Sequence, residues 1–571
     1  MTTTNEIPAP NELHPIINKI LLSRGWKREN LDEFFSWDLK SLPDLTNLLD
    51  LEKASLRIIQ AIKNKEKIGI YGDYDVDGTT SCALLFHFFK YFDIEVETFQ
   101  PSRFIEGYGI HPSSIEKACD KDVRVLITVD CGITNVEAAE YALFKGIDLI
   151  ITDHHTDAAE VIPPAYAVIN PNRRDESQTD LKYLAGVGVA FCLALKIKQL
   201  WEKENKALPS IYPLLQFVAI GTISDMALLG PMNLKFCRHG LKQMLQTEIQ
   251  GLLYFVPPEE RVGKMLPSEK ISFLIGPLIN SKGRLEHPEK ALTLLTSNDP
   301  ALCFECFSHL EISNRERKFI QNEVFQAAKR QVIRSIDSED PIINVVYEPG
   351  WHEGVIGIVA SKLVETFEVP AVVFTESETP GVIKASARSA GELSIFDALK
   401  SCEDLFMKFG GHKSAAGLSM DVKNLQEFKT RIKKYLKEIP HISRTKQDHF
   451  DLEIKFEDID EKLVKALDEL EPFGNGNSRP IFKMKNIKIE SFQILKDQHV
   501  KWEISDHNGS NRKIKGISFF YIGKWNQLSP DEIYRRQDEG VSMQFQLGIN
   551  RFNGREYIQL MVDKVTLGQL H

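Results

Sequence analysis

The sequence predicts a multidomain α/β protein: a domain with a mostly parallel, doubly wound sheet, a helical connector, a second α/β unit and a C-terminal β-barrel. Three observations predict it. From about residue 46 to 230, strand and helix patterns alternate, as parallel strands joined by crossover helices do. From about 231 to 335 the apolar spacing is mainly helical. After about residue 447 the pattern becomes short alternating strands separated by turn residues, which suggests a small barrel. A chain of 571 residues is also too long for one core.

In chain order, residues 1–45 read as an N-terminal arm packing on the domain that follows, and 46–230 as that first domain. Its strands are KIGIYGD, IEVETFQPSR, VRVLITVD, DLIITDHH and AYAVINP. Residues 231–340 form the connector, whose charged run EISNRERKFIQNEVFQAAKRQVIRSI predicts a long helix. The second α/β unit, 341–440, has strands INVVYEP, PAVVFTE and GVIKASARS and a glycine-rich FGGHKSAAGLSM. A polar linker, HISRTKQDHF, precedes the barrel at 447–571, where Asn553-Gly554 between alternating strands signals a hairpin.

Composition narrows the class. Hydrophobic residues at 43% and charged residues at 26% are those of an ordinary soluble protein. No apolar run is long enough to span a bilayer, and MTTTNEIPAPNELH lacks the basic and apolar regions of a signal peptide, so a cytoplasmic location is expected. The eight cysteines are scattered, several within apolar segments (Cys82, Cys192), which fits a reducing compartment. Cys303 and Cys306 form a lone pair within ALCFECFSHL and read as helix core. The net charge of −10 gives no global sign of nucleic-acid binding, although a clustered basic surface can work inside an acidic protein.

The chemistry concentrates in GDYDVDGTTS, Gly72–Ser81. Asp73, Asp75 and Asp77 sit between an apolar strand and a buried helix, at the usual ligand edge of an open α/β sheet. Carboxylates this close repel one another unless a cation neutralises them, and oxygen ligands suit Mg2+ or Mn2+. A solvated Asp-rich helix cap gives the same local pattern; convergence separates the two readings. Asp130 ends VRVLITVD, His154 and His155 follow LIITD, and Asp225 follows LLQFVAIGTIS. Parallel strands end at a common edge, so these residues should meet. Such a set suits two divalent ions about 3.5–4 Å apart with one carboxylate between them. Imidazole shifts the preference somewhat towards Mn2+.

GDYDVDG, TVDCG, TDHH and GTISDMALL resemble the four motifs of the DHH phosphoesterase superfamily. WHEGVIGIVASKL, KASARS and FGGHKSAAGLSM resemble its associated DHHA1 domain, and EPFGNGNSRPIF opens a segment similar to the C-terminal OB-type barrel of the superfamily's single-stranded-DNA-specific exonucleases. PSRFIEGYGI and GPLINSKGRL resemble further segments of that branch. At the second, the branch commonly reads near GPRINAAGR, and Leu278 stands here in place of an arginine, so only Asn280 and Arg284 are carried over.

The resemblance implies a metal-dependent exonuclease that degrades single-stranded DNA from the 5′ end to 5′-mononucleotides, by in-line attack of water supported by two Mn2+ or Mg2+ ions, in repair and recombination. Asp75, Asp77, Asp130, His154, His155 and Asp225 would be the ligands, with Asp130 as bridge and Asp73 as ligand or support. His412 would join Asp130, His154 and His155 as a catalytic residue. Arg103, Asn280, Arg284, Ser386, Arg388, Gly410, Gly411 and His412 would contact substrate. In the barrel, Lys513, Lys515, Phe519, Phe520, Tyr521 and Trp525 offer charge and rings, although strand alternation sends most of the rings into the core.

Single-stranded DNA is the expected partner of a monomer without membrane contact, with a single-stranded-DNA-binding protein and a helicase as further partners. A phosphodiesterase of the same superfamily acting on short oligonucleotides or cyclic dinucleotides is the alternative. Residues 447–571 argue against it, and against an inorganic pyrophosphatase, because those relatives usually lack the barrel. A non-catalytic nucleic-acid scaffold would require decayed ligands, whereas every ligand motif is intact.

Overall fold

Ile68–Gly72, a strand buried at every position, is the strand around which the first sheet is wound. The computed structural model describes residues 13–39, 48–101, 107–156, 161–176, 179–205, 207–285, 289–335, 342–445, 449–506, 512–522, 527–552 and 555–568. The first sheet contains β1 (Ile68–Gly72), β2 (Val96–Phe99), β3 (Val125–Val129), β4 (Asp148–Thr152) and β5 (Ala167–Ile169). All its pairings are parallel, in the order β2-β1-β3-β4-β5. This is a doubly wound order whose direction of winding switches between β1 and β3.

Register fixes what happens at the sheet's C-terminal edge. Gly72 pairs with Val129, and Val129 with Thr152, so the three strands end level. The next residue of each is an aspartate: Asp73, Asp130 and Asp153. The helices Val76–Phe89 and Leu215–Ser224 are buried on nearly all sides and pack on each other, as helices without a polar face must.

The chain divides into two units. One comprises Trp26–Arg315 with Leu467–Arg479; the other comprises His14–Gly25, Glu316–Ala466 and Pro480–His571. Two sequence readings change here. The N-terminal arm is split: the helix Pro15–Ser23 belongs to the second unit, where Arg24 Nε meets Asp451 Oδ1 at 2.7 Å. And EPFGNGNSR, read as the opening of the barrel, belongs to the first unit.

The predicted connecting helix is present as Pro300–Ser335, and both Cys303 and Cys306 are buried in it. Within the second unit, β6 (Asn344–Tyr347), β7 (Ala371–Glu376), β8 (Val382–Arg388), β9 (Phe406–Gly411) and β10 (Ala415–Asp421) form a mixed sheet ordered β6-β7-β8-β10-β9. The glycine-rich segment thus forms the β9–β10 hairpin. Val372, Phe374, Ala385, Ala387, Leu418 and Phe428 contribute to the core on one face of this sheet, and Val355, Val359, Leu363 and Val373 to the core on the other.

The C-terminal strands are β11 (Leu452–Glu453), β12 (Phe482–Leu495), β13 (His499–Asp506), β14 (Lys513–Ser518), β15 (Val541–Phe552) and β16 (Arg555–Leu567). Their order is β11-β12-β13-β14-β16-β15, and an additional β12–β15 ladder makes the pairing cyclic, the arrangement expected of an OB-type barrel. Asn553-Gly554 lies outside the described residues, but the strands flanking it pair as far as Phe552 and Arg555. Trp502 and Tyr521 are buried, whereas Phe519 and Phe520 are 49% and 65% exposed. The latter two remain available to a ligand; Trp525 lies outside the described residues. Among the described residues, no helix is long and apolar enough to cross a membrane.

Trp502 fills the barrel core with its Nε1 donating to Ser518 Oγ at 2.9 Å. Trp502→Ala should destabilise the protein by about 3–5 kcal/mol, the usual cost of removing a buried aromatic. Denaturant titration followed by circular dichroism checks this.

Candidate metal centre

The level strand ends place Asp73, Asp130 and Asp153 in one row, and the helices behind them add the remaining groups. Asp75 caps the helix Val76–Phe89, its Oδ1 accepting from the Gly78 N–H at 3.0 Å. Asp77, in the first turn, is fully enclosed and accepts from the N–H groups of Gly186 (2.6 Å) and Val187 (2.9 Å). Those donors are the N-terminus of the helix Gly186–Glu204, where unpaired amides favour an anion. Gly186 must lack a side chain: a Cβ there would lie 2.6 Å from Asp130 Cβ. Asp225 comes from the C-terminal end of Leu215–Ser224, not from a strand.

Two groups of potential ligands result. Asp130, His154 and His155 form one; Asp77, His154 and Asp225 form the other. His154 Nε2 is 3.2 Å from Asp130 Oδ1 and 3.8 Å from both Asp77 Oδ2 and Asp225 Oδ2. His154 Nε2 and Asp130 Oδ1 are both buried and neither is hydrogen-bonded. Buried polar atoms left in this state are costly, and carboxylate oxygens facing an imidazole nitrogen are the donor set of a divalent ion. The residues therefore fit the two cations that the sequence implies.

Electrostatics agree. Burial, followed by the charges of Asp77, Asp75, Asp73 and Asp225, pushes the Asp130 carboxyl well above the ordinary carboxylate range. Burial and the charge of Asp225 raise Asp77, and burial with Asp75 raises Asp225. Burial lowers His154, partly offset by Asp77. Burial opposes protonation of His155 too, but its hydrogen bond to Asp153 prevails and raises it to about 9.

Asp153 is the residue the sequence reading left out of the site. It is wholly buried and accepts from the N–H groups of His154 (2.7 Å), His155 (3.0 Å) and Ile133 (2.9 Å), and lies 2.8 Å from His155 Nδ1. Burial would raise its carboxyl, but His155 and these donors hold it below the ordinary range. It thus orients both histidines. Asn170 and Asn172 support the same turn by donating to the carbonyls of His155 and His154. Tyr108 was also missed; its hydroxyl lies 2.9 Å from His155 Nδ1. The signal for Asp153 was present in TDHH, where the acid directly precedes the histidines.

A cavity of about 340 Å³ opens on the centre, lined by Asp73, Asp75, Asp77, Tyr108, Asp225, Met226 and Asn280 among others. Asp73 and Asp75 thus border the site without joining either group of three. Asn280 is carried by the helix Gly276–Leu285, which follows a π-helical turn, Ile271–Ile275, of a kind frequent at functional sites. Leu278 of the same helix is buried, so the residue replacing the arginine serves packing. The Arg284 side chain and Arg103 lie outside the described part of the structure.

The remaining predicted residues lie in the second unit. Ser386, Gly417 and Gly410 are aligned across β8, β10 and β9, and Arg388 pairs with Ala415. Ser386 and Arg388 share the face of β8 that lies against the helix Glu353–Phe367, where a Cβ on Gly357 would be 3.3 Å from Ser386 Oγ and 3.0 Å from Arg388 Nη2. Gly410, Gly411 and His412 are exposed at the β9–β10 turn.

A family model described as the DHH family N-terminal domain matches residues 67–222, a DHHA1 domain model matches 340–438, and a RecJ OB domain model matches 450–564. The chain is 31% identical over 568 residues to the single-stranded-DNA-specific exonuclease RecJ of Bacillus subtilis, covering 98% of this chain and 69% of that protein. It is 28% identical over 578 residues to the Escherichia coli protein of that name, covering 98% and 97%. The crystal structure of Thermus thermophilus RecJ in complex with Mn2+ superposes with a TM-score of 0.78 at 27% identity, over 98% of this chain and 77% of that one. The corresponding Mg2+ complex gives 0.72 at 25% identity, over 98% and 76%.

If Asp153 sets the histidines, Asp153→Asn should weaken Mn2+ binding about 10- to 100-fold, the usual effect of losing a partner that orients a ligand. Isothermal titration of the metal-free protein measures this directly.

Proposed function

The chain belongs to the RecJ family of single-stranded-DNA-specific exonucleases, and from that premise we propose that it hydrolyses single-stranded DNA from the 5′ end to 5′-mononucleotides, in DNA repair and recombination. The observation that carries the reading is the convergence of Asp77, Asp130, His154, His155 and Asp225 at the sheet edge, in two groups of three that share His154.

Bound there, two divalent ions would activate water and stabilise the charge on the leaving oxygen. Asp130 is the proposed bridge: it feels the charge of four other aspartates, and a carboxylate has two oxygens to share where His154, common to both groups, has one ring nitrogen facing them. Asp77 and Asp225 would complete one side and His155 the other, with Asp73 and Asp75 beside them. Asp153 holds the His155 ring in place. Ser386 and Arg388 are proposed donors to a terminal phosphate, His412 a donor to a reacting phosphate oxygen, and Asn280, Arg284 and Arg103 further substrate contacts. Gly410 and Gly411 leave backbone accessible to the strand.

In the barrel, Lys513 and Lys515 are exposed on β14, so the basic groups and the exposed Phe519 and Phe520 are proposed to hold the single strand. The reading includes a cytoplasmic monomer that works beside a single-stranded-DNA-binding protein and a helicase.

Asp130→Ala should abolish release of mononucleotides from 5′-labelled and 3′-labelled oligonucleotides alike, and EDTA should silence the native protein. Near-native activity of the variant in Mg2+ or Mn2+ would refute the two-metal assignment. Release of label in the opposite order would refute the polarity.

His412→Ala should lower turnover on the order of 10²–10³, as removal of a preorganised donor does, with metal content unchanged. Arg388→Ala should mainly weaken preference for a 5′-phosphorylated end. Kinetics on matched 5′-phosphate and 5′-hydroxyl oligonucleotides, with metal analysis of both variants, separate the two roles.

A further inference from the structure

We propose that Asn475 is a positioning residue for the metal centre: the segment Glu471–Arg479 acts as a clasp that fixes the loop following Asp225. The proposal rests on the reading of Asp225 as a metal ligand. The clasp lies more than two hundred residues further along the chain, yet it belongs to the first unit.

The anchoring of the clasp is built from buried groups. Glu471 is buried, and its Oε2 accepts from Ser268 Oγ (2.6 Å) and from the N–H of Phe473 (3.1 Å). Its carbonyl accepts from Nε of the buried Arg238 at 3.0 Å. Asn477, also buried, donates to the carbonyls of Leu470 and Pro472 and so closes the turn on itself. Gly474 and Asn477 exchange backbone hydrogen bonds of 3.0 and 3.1 Å across it. These contacts make the turn a fixed object against which something else can be held.

What it holds is the peptide immediately after Asp225. Asn475 Nδ2 donates to the Met226 carbonyl at 2.8 Å, and the Asn475 carbonyl accepts from the Leu229 N–H at 2.8 Å. Met226, directly after the helix C-cap, has a left-handed backbone, φ +58°, and closes the helix end with the Met226 N–H donating to the Ile223 carbonyl and the Ala227 N–H to the Thr222 carbonyl. The turn that ends the helix is therefore gripped from outside at Met226 and at Leu229. The packing leaves no slack: a Cβ on Gly476, whose φ is +78°, would lie 2.6 Å from Leu228 Cδ1.

Asp225 ends a buried helix and is joined directly to this gripped residue. The other side of the same peptide is held by the helix, the Ala227 N–H donating to the Thr222 carbonyl at 3.2 Å. Loss of the Asn475 donor frees the Met226 carbonyl, loosens this turn and lets the carboxylate shift from the position facing His154. Because Asn475 is itself exposed, its replacement does not disturb the buried anchors.

The test is Mn2+ binding to the full-length, metal-free protein, measured by calorimetry and by electron paramagnetic resonance of free Mn2+, independently of nuclease activity. Asn475→Ala should raise the dissociation constant about tenfold, the lower end of what loss of an orienting partner does. Gly476→Ala, which presses on Leu228, should shift it in the same direction. Asp225→Ala serves as the reference. If Asp225→Ala weakens binding and both clasp variants leave it unchanged, the clasp proposal is overturned while the metal assignment stands. A lowered melting temperature of metal-free Asn475→Ala with native Mn2+ affinity overturns it too, since that is a merely structural role. If Asp225→Ala itself leaves binding unchanged, the ligand assignment falls, and the proposal with it.

Discussion

Buried negative charge is the constraint on which the rest of this structure depends. Level strand ends, set by the Gly72–Val129–Thr152 register, force Asp73, Asp130 and Asp153 into one row, and Asp77 is enclosed behind them. An isolated buried carboxylate costs several kcal/mol unless it is neutralised or hydrogen-bonded. The chain compensates most of these groups with its own donors. Asp77 takes two amides from a helix N-terminus, Asp75 caps a helix, and Asp153 takes three amides. Asp130 Oδ1 receives none. At that central oxygen a cation supplies what the protein withholds.

Amide donors do not by themselves remove a carboxylate from the ligand set. Asp77 accepts two and still belongs to the group with His154 and Asp225, whereas Asp153, which accepts three, belongs to neither group and serves as a fixed charge behind the histidines. The consequence reaches the histidines. Asp153 grips the turn that carries both, and Asn170 and Asn172 hold its carbonyls, so the backbone of both histidines and the ring of His155 are set before any ion arrives. Preorganisation of this kind removes the conformational cost of assembling the site.

Much of this was legible in the sequence. The parallel sheet was, because strand and helix patterns alternate and three strands stop at an acid, and the meeting of Asp130, His154 and His155 followed from that; Asp77 and Asp225 reach the site from helices. The reading erred where contacts are distant in sequence. Arg24 with Asp451, and Asn475 with Met226, leave no local periodicity, so neither the exchange of the N-terminal helix nor the return of EPFGNGNSR to the first unit could be read from pattern. Glycines and asparagines announced a turn there, and only tertiary packing says where it docks. In the barrel, alternation was expected to send most of the four rings inward, but of the three described only Tyr521 is buried; Phe519 and Phe520 are exposed, because all three lie beyond the end of β14, where the alternation no longer applies.

The two units carry different kinds of chemistry, and this bears on selectivity. The first presents fixed buried ligands, which act on any phosphodiester placed before them. The second presents flat, glycine-bearing strands, Gly410 and Gly417 aligned with Ser386, beside Arg388 and the exposed His412. Hydroxyl, guanidinium and imidazole donors on a surface without bulky side chains are suited to phosphate oxygens, which carry no sequence information. Contacts of this kind would read the backbone of a strand and its terminus, and a sequence-neutral exonuclease needs no more than that from the protein. Base stacking on exposed rings such as Phe519 and Phe520 would add affinity without adding a code, because every base has a face to offer.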